Sequence, residues 1–225
     1  MVEILRKIPL FATLKSEELE AISKVSVDKK FSKDQIILLE SEDGDTLFII
    51  IEGKVKVTAF SENGKEVILS ILYERDFFGD MSLLDGKPRS ASVVAIEDSS
   101  VKMIRRPDFI RLLENHPNIA LKLLEAMTLR LRKADERIES LALLDVTGRL
   151  AGILLQLAED KSEITEDGTV IKSRPTHQEL ANMAGTTRET VTRILKQLEN
   201  KKYIEMNGKD ITIIDTTVFK RDLYL

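Results

Sequence analysis

Between Ala120 and Leu141 apolar side chains recur more regularly than one folded domain requires: Ala120, Leu124, Met127, Leu131, Ala134, Ile138 and Leu141 follow in alternating steps of four and three. A step averaging 3.5 residues is the period of a coiled-coil seam, narrower than the stripe by which a helix lies on its own domain. Such a seam needs a second helix, and a self-complementary one implies a two-fold homodimer. Leu124, Met127, Leu131, Ala134, Ile138 and Leu141 are therefore the expected dimer seam, the other reading being a helix packed on the chain's own β-domain.

The chain has 225 residues, and its parts on either side of that seam differ in texture. Residues 16–24 read as a short amphipathic helix, with Ser16 as N-cap and Leu19 and Ile22 on one face. From Val27 to Arg105 short apolar runs follow at 35–39, 46–51, 54–60, 66–72, 91–96 and 100–104. Asp43-Gly44, Glu52-Gly53, Asn63-Gly64 and Asp85-Gly86 separate them as turn signals, a spacing that suggests an antiparallel barrel or sandwich. The alternation Lys54-Val55-Lys56-Val57-Thr58 predicts one wet face. Pro107 opens a helical region, and Pro117 stands in the first turn of the seam helix. Beyond Leu144 the chain reads as helical to Glu159, then as an acidic loop over 159–168 with five acids and one base.

Composition excludes several chemistries. With no Cys there is no disulfide framework, thiolate metal site or Cys nucleophile, and two His, 116 and 177, cannot build a multi-His metal site within one chain. The usual nucleophile–base pairs of an enzyme are missing as well. No apolar run reaches membrane-spanning length and the first residues lack a secretory pattern, so the expectation is a cytoplasmic protein without a membrane partner or metal. A net charge of −4 advertises no polyanion partner globally.

Locally it does. From Arg174 to Lys209 seven Lys/Arg face four Asp/Glu, a net of +3. Thr176-His177-Gln178-Glu179 reads as a capping box opening a helix, Gly185 breaks it, and Thr186-Thr187-Arg188-Glu189 reads as a second box. Ala181, Gly185 and Val191 supply the small, left-handed and aliphatic residues that a helix-turn-helix needs in that order. A hairpin turning at Asn207-Gly208 would add the wing. The outward face of the second helix carries Arg188, Glu189, Thr192, Arg193 and Lys196. There Arg can bond bidentately to guanine and Glu can accept from the cytosine amine. Lys196, Lys201 and Lys202 suit phosphates. Glu189 has two plainer readings, completion of the capping box and a surface ion pair with Arg193.

A second constellation lies between strand runs: Phe78-Gly79-Asp80-Met81-Ser82, then Arg89-Ser90-Ala91. A helix beginning near Gly79 would present N–H groups to a phosphate, Arg89 a planar donor pair, Ser90 a hydroxyl, and Asp80 an acceptor for a sugar hydroxyl. An Arg89–Asp80 ion pair closing the barrel end is the plainer alternative.

These segments, with Leu144-Asp145-Val146-Thr147-Gly148-Arg149 and Arg188-Glu189-Thr190-Val191-Thr192-Arg193 between and after them, resemble the cyclic-AMP receptor protein/FNR (CRP/FNR) family of bacterial transcription regulators over nearly the whole chain. The resemblance implies an α+β architecture. Its parts are an N-terminal cyclic-nucleotide-binding β-roll of antiparallel jelly-roll type (1–115), a long coiled-coil dimerisation helix (116–145) and a C-terminal winged helix-turn-helix (146–225). It implies an effector site at Gly79, Asp80, Met81, Ser82, Arg89 and Ser90. DNA contacts would come from Thr187, Arg188, Glu189, Thr192, Arg193, Lys196, Lys201 and Lys209, acting on palindromic TGTGA-like operators of double-stranded DNA. RNA polymerase is the further partner if the protein activates, the acidic 159–167 lying where family activators touch it. Two departures concern the effector. Asp80 is one methylene shorter than the family Glu. Ala134 and Asp135 stand where cyclic-AMP-binding members carry a Thr-Ser pair reading adenine across the dimer. Ala cannot bond the base and a carboxylate suits guanine's paired N–H groups, so the effector expected among cAMP, cGMP and other cyclic nucleotides is one other than cAMP, guanine-bearing like cGMP; the alternative is that Asp135 is a solvated helix residue. The competing functional class is a cyclic-nucleotide-binding module acting through protein partners without DNA.

Overall fold

A short helical lead-in begins the chain: α1 (Val2–Arg6), a 3-10 turn (Pro9–Phe11) and α2 (Ser16–Val25). The computed structural model describes residues 2–224, the side chains of Asp160 and Lys161 excepted. The chain divides into two compact units, Met1–Leu131 and Arg132–Leu225.

In the first unit eight strands follow α2: β1 (Val27–Phe31), β2 (Ile36–Leu38), β3 (Thr46–Glu52), β4 (Val55–Phe60), β5 (Glu66–Leu72), β6 (Phe77–Phe78), β7 (Ser92–Ala95) and β8 (Ser99–Arg105). α3 (Asp80–Asp85) lies between β6 and β7. They form two antiparallel four-stranded sheets, ordered β1-β8-β3-β6 and β2-β7-β4-β5. The run at 46–51 lacks polar alternation because both faces of β3 are covered. Phe48 and Ile50 join Val55, Phe78, Val93 and Val101 in one apolar cluster. Leu47 and Ile49 join a second with Phe11, Leu19, Ile22 and Phe109. The alternation read at 54–58 ends in a β-bulge between Val57 and Thr58. The extra residue is Leu69 of β5, and Thr58 keeps its regular pairing with Ser92 of β7; it is nonetheless fully buried, its hydroxyl satisfied by Val67 O and Glu66 Oε1, each at 3.0 Å, so the wet face stops at Lys56.

α4 (Arg106–Asn115) and α5 (Pro117–Leu143) follow, Pro107 and Pro117 sitting in their first turns. Only Ile119 and Leu123 of α5 are buried. The seam is open on the single chain, with Leu131 63% and Ile138 65% exposed and Leu124 and Leu141 similarly bare. Met127 of the seam packs partly on the first unit's core, but a helix laid wholly on its own domain would hide Leu124, Leu131, Ile138 and Leu141 as well.

The second unit contains the rest of α5, α6 (Val146–Lys161), β9 (Ser162–Thr165), β10 (Gly168–Ile171), α7 (His177–Ala184), α8 (Arg188–Asn200), β11 (Ile204–Asn207), β12 (Asp210–Ile213) and α9 (Thr216–Leu223). Its sheet runs β11-β12-β10-β9. The acidic segment read as a loop is therefore largely a hairpin, Thr165 pairing with Gly168 and Glu163 with Val170; the Asp160 and Lys161 side chains in it lie outside the described residues. β9 is an edge strand, so its Glu163 and the 89% exposed Ile164 face solvent while β10 buries Val170 and Ile171.

Capping registers differ by one residue from the sequence reading at three places. Ser16 lies inside α2, where its Oγ accepts from Arg6 at 2.9 Å; Lys15 takes the cap position and donates its N–H to Glu18 at 2.6 Å. Thr187, not Thr186, caps α8, and the wing turns at Gly208-Lys209, since Asn207 pairs with Asp210. Glu18 also accepts from His116 Nδ1 at 2.8 Å. The Lys15 N–H, then His116, hold its carboxyl below the ordinary carboxylate range. A carboxylate so lowered contributes stability that is complete above its unfolded pKa and is lost as pH falls through its folded one. Glu18→Gln is therefore expected to lower the urea midpoint at neutral pH and to flatten its fall between about pH 5 and pH 3, as urea titrations at stepped pH will read.

Candidate effector site and nucleic-acid interface

Gly79 enters α3 in the left-handed conformation (φ 80°), a backbone that glycine alone adopts without strain. A Cβ there would also stand 2.6 Å from Thr46 O and 2.9 Å from Arg89 Nη1. Against this turn Arg89, 6% exposed, donates Nη1–H to Gly79 O at 2.8 Å and Nη2–H to Thr46 O at 3.1 Å. Its Nε–H is buried without a partner. Burial pushes the guanidinium's pKa down while Asp45 and Asp80 push it up, the balance of a cation whose strongest partners are neutral carbonyls.

Asp80, 3% exposed, makes its ion pair with Arg130 of α5, Oδ1 to Nη1 at 3.0 Å, rather than with Arg89. Its other oxygen, Oδ2, is buried without a partner. Arg130 also donates to Phe77 O and lies 4.4 Å over the Phe77 ring. Ser82 is buried, Met81 and Ser90 are exposed, and Ser90 Oγ donates to Met81 Sδ at 3.4 Å. Six of the expected effector residues thus surround one turn. Ala134 and Asp135 belong to the second unit, exposed on α5, and Asp135 makes no ion pair among the described residues.

The second constellation is a helix-turn-helix as read. Thr176 caps α7, its Oγ accepting from Glu179 N at 3.2 Å while Glu179 Oε2 accepts from Thr176 N at 2.7 Å. Gly185 turns the chain at φ 66°, ψ 39°. Thr187 caps α8 by accepting from Thr190 N at 3.3 Å. Val191, Ile194, Leu195 and Leu198 form its buried face. Asp145, capping α6 through Gly148 N at 2.8 Å, sets Arg149 where it donates to Leu144 O and Ala184 O, each at 3.0 Å. That motif therefore fastens the start of α6 to the end of α7.

With the cap at Thr187, Glu189 is not the third helical residue and takes no part in capping; nor does it pair with Arg193 among the described residues. Arg188, Glu189, Thr192, Arg193 and Lys196 line one shallow outward hollow. Thr192 Oγ donates to Arg188 O at 2.9 Å and so accepts from His177 Nδ1 at 2.8 Å. Burial, then Arg174 and Arg188, push His177 below its ordinary pKa. Thr187, Lys201 and Lys209 are exposed but lie outside the hollow, at the helix cap, the helix end and the wing turn.

Residues 28–116 match the cyclic nucleotide-binding domain model and residues 148–221 the Crp-like helix-turn-helix domain model. The cAMP-activated global transcriptional regulator CRP of Salmonella typhimurium is 39% identical over 189 residues, 83% of this chain and 89% of that protein. The chain belongs to the CRP/FNR family. The CRP-like cAMP-activated global transcriptional regulator of Mycobacterium tuberculosis is 31% identical over 218 residues, 96% of each chain. A mutant CooA from Carboxydothermus hydrogenoformans shares the fold at a TM-score of 0.77 and 24% identity, covering 88% of each chain. This CRP/FNR protein is thus a DNA-binding transcription regulator carrying a cyclic nucleotide-binding domain. Among its described residues no helix is long and apolar enough to cross a membrane.

Arg130 and His177 are the members of this CRP/FNR protein's two sites that the sequence reading did not assign. Arg130 is one cation among many on a polar helix, and only the fold puts it 50 residues away against Asp80. Removing it leaves a buried carboxylate uncompensated. Arg130→Met is expected to cost about 3 kcal/mol of stability, somewhat offset because Arg130 itself is half-buried, measured by urea unfolding at pH 7.

Proposed function

We propose that this regulator acts as a cytoplasmic homodimer on palindromic TGTGA-like operators, with a cyclic nucleotide as effector in the pocket of Gly79, Asp80, Met81, Ser82, Arg89 and Ser90. The observation that carries the effector half is the pair of partnerless buried atoms, Asp80 Oδ2 and Arg89 Nε, an acceptor and a charged donor on either side of one turn. A ribose hydroxyl suits the first and a phosphate oxygen the second. The names of the Salmonella and Mycobacterium relatives, both cAMP-activated, support a cyclic nucleotide. Ala134 and Asp135 set the base: Ala cannot bond it, and the Asp135 carboxylate matches guanine's N1–H and N2–H better than adenine's single amine. The bare seam residues Leu124, Leu131, Ile138 and Leu141 support the dimer, and the proposal keeps a three-part division at 115 and 145 with the seam helix as its middle part.

Binding and linkage, without a catalytic step, make up the activity. The effector favours one arrangement of the dimer by its differential affinity, and DNA strengthens effector binding by the same factor. Fluorescence anisotropy of a labelled TGTGA palindrome at fixed salt, without nucleotide and with cAMP or cGMP, tests the whole reading. The expected result is two chains per duplex and tightening by a nucleotide, with cGMP favoured and that preference lost in Asp135→Ala. Equal response to both nucleotides in wild type and variant removes the role of Asp135; tight binding that ignores both removes the effector.

Arg188, Glu189 and Arg193 read bases, whereas Thr187, Lys196, Lys201 and Lys209 meet phosphates. Arg188→Ala should cost about 1–3 kcal/mol on the operator and relax one position of it. Lys201→Ala should weaken all duplexes alike and reduce the slope of log affinity against log salt by about 1. Parallel titrations on operator and random DNA decide, and identical losses for both variants on both duplexes would contradict the division.

A further inference from the structure

Arg89 fills the place of a side chain that is not there. A Cβ on Gly44 would fall inside the Arg89 guanidinium, against Nε, Cζ and Nη2. Gly44 is not among the glycines with positive φ, so no left-handed turn demands glycine at this position, although Asp43-Gly44 reads as a turn signal. What the position requires is space. On another side of the same guanidinium, the missing Cβ of Gly79 leaves room for Arg89 Nη1 and Thr46 O.

We propose that Gly44 is a positioning residue for the effector site: its missing Cβ reserves the seat in which Arg89 is clamped between the carbonyls of Gly79 and Thr46 with Nε–H left for an anion. A guanidinium is a planar fork, and two bonds to fixed carbonyls set its plane. The buried Nε–H is then aimed before a ligand arrives, and less side-chain freedom is lost on binding. With alanine at 44 the backbone has no reason to move, since the obstacle is the flexible end of Arg89. The guanidinium leaves the seat, both carbonyls lose their donor, and the aim is lost.

The ligand half of this inference rests on the reading of Arg89 as a phosphate ligand; the seat itself does not, and the test separates them. In the ligand-free full chain, 15N side-chain spectra should show a rotationally restricted Arg89 guanidinium in wild type and a freely averaging one in Gly44→Ala. An Arg89 signal unchanged by Gly44→Ala overturns the seat. Calorimetric titration with cAMP and with cGMP should then find binding about tenfold weaker in Gly44→Ala, with little further loss when Gly44→Ala is added to Arg89→Ala. Additive losses, or tighter binding in Gly44→Ala, overturn the positioning role. If the seat is lost as expected while wild type binds neither nucleotide, the positioning stands and the effector reading fails. Thermal melts accompany each variant. Should Gly44→Ala fail to fold, the double variant, in which Arg89 is removed from the space, must melt as Arg89→Ala alone does; if it does not, Gly44 serves the loop rather than Arg89.

Discussion

A carboxylate and a guanidinium buried beside one another but paired elsewhere organise the first unit. Asp80 turns to Arg130 on α5, and Arg89 turns to two backbone carbonyls. Had they paired with each other, both charges would have been settled inside the β-roll and Arg130 of α5 would keep only the Phe77 carbonyl and ring. Because Asp80 reaches out to Arg130, the turn at Gly79 and the long helix share a charge-assisted bond with the Phe77 ring stacked against it. Any change that draws Asp80 away is felt on the helix that also bears the open seam.

The second unit follows a different logic, in which local backbone bonds decide what is left over for a partner. Thr187 satisfies the start of α8, so Glu189 is spent neither on a cap nor on Arg193, and stands with Arg188, Arg193 and Lys196 around one hollow. Thr192 is less free: its hydroxyl is held by Arg188 O and His177, which makes it a support for the reading face as much as a member of it. The Asp145–Gly148 cap and the two bonds of Arg149 do the remaining work, fixing the first helix of the pair through α6.

Much of this was legible because it is written in local periodicity and in turn chemistry. The seam period, the two prolines at helix starts and the order Ala181, Gly185, Val191 each reflect a constraint set within a few residues. What escaped depends on pairing at long range or on a shift of one residue. β9 is a strand because β10 offers it a partner, not because its acidic sequence favours one. Thr58 is buried because β5 covers it with Glu66 and Val67, which no alternation within 54–58 announces. Glu18 and Glu189 show the same lesson in opposite directions. A one-residue difference in the cap makes the first a backbone acceptor and releases the second from that duty. Arg130 meets Asp80 through the fold alone, and no local rule distinguishes it from the neighbouring Arg132.

The two partnerless atoms also say something about how selection is divided. A buried polar atom left without a partner costs about 1–3 kcal/mol, so a ligand that satisfies both Asp80 Oδ2 and Arg89 Nε recovers that cost, and one that lacks either group does not. Under the proposed function those two atoms select for an anion beside a hydroxyl. Under the same proposal the choice of base falls to groups outside the turn, for which Ala134 and Asp135 of α5 are the candidates.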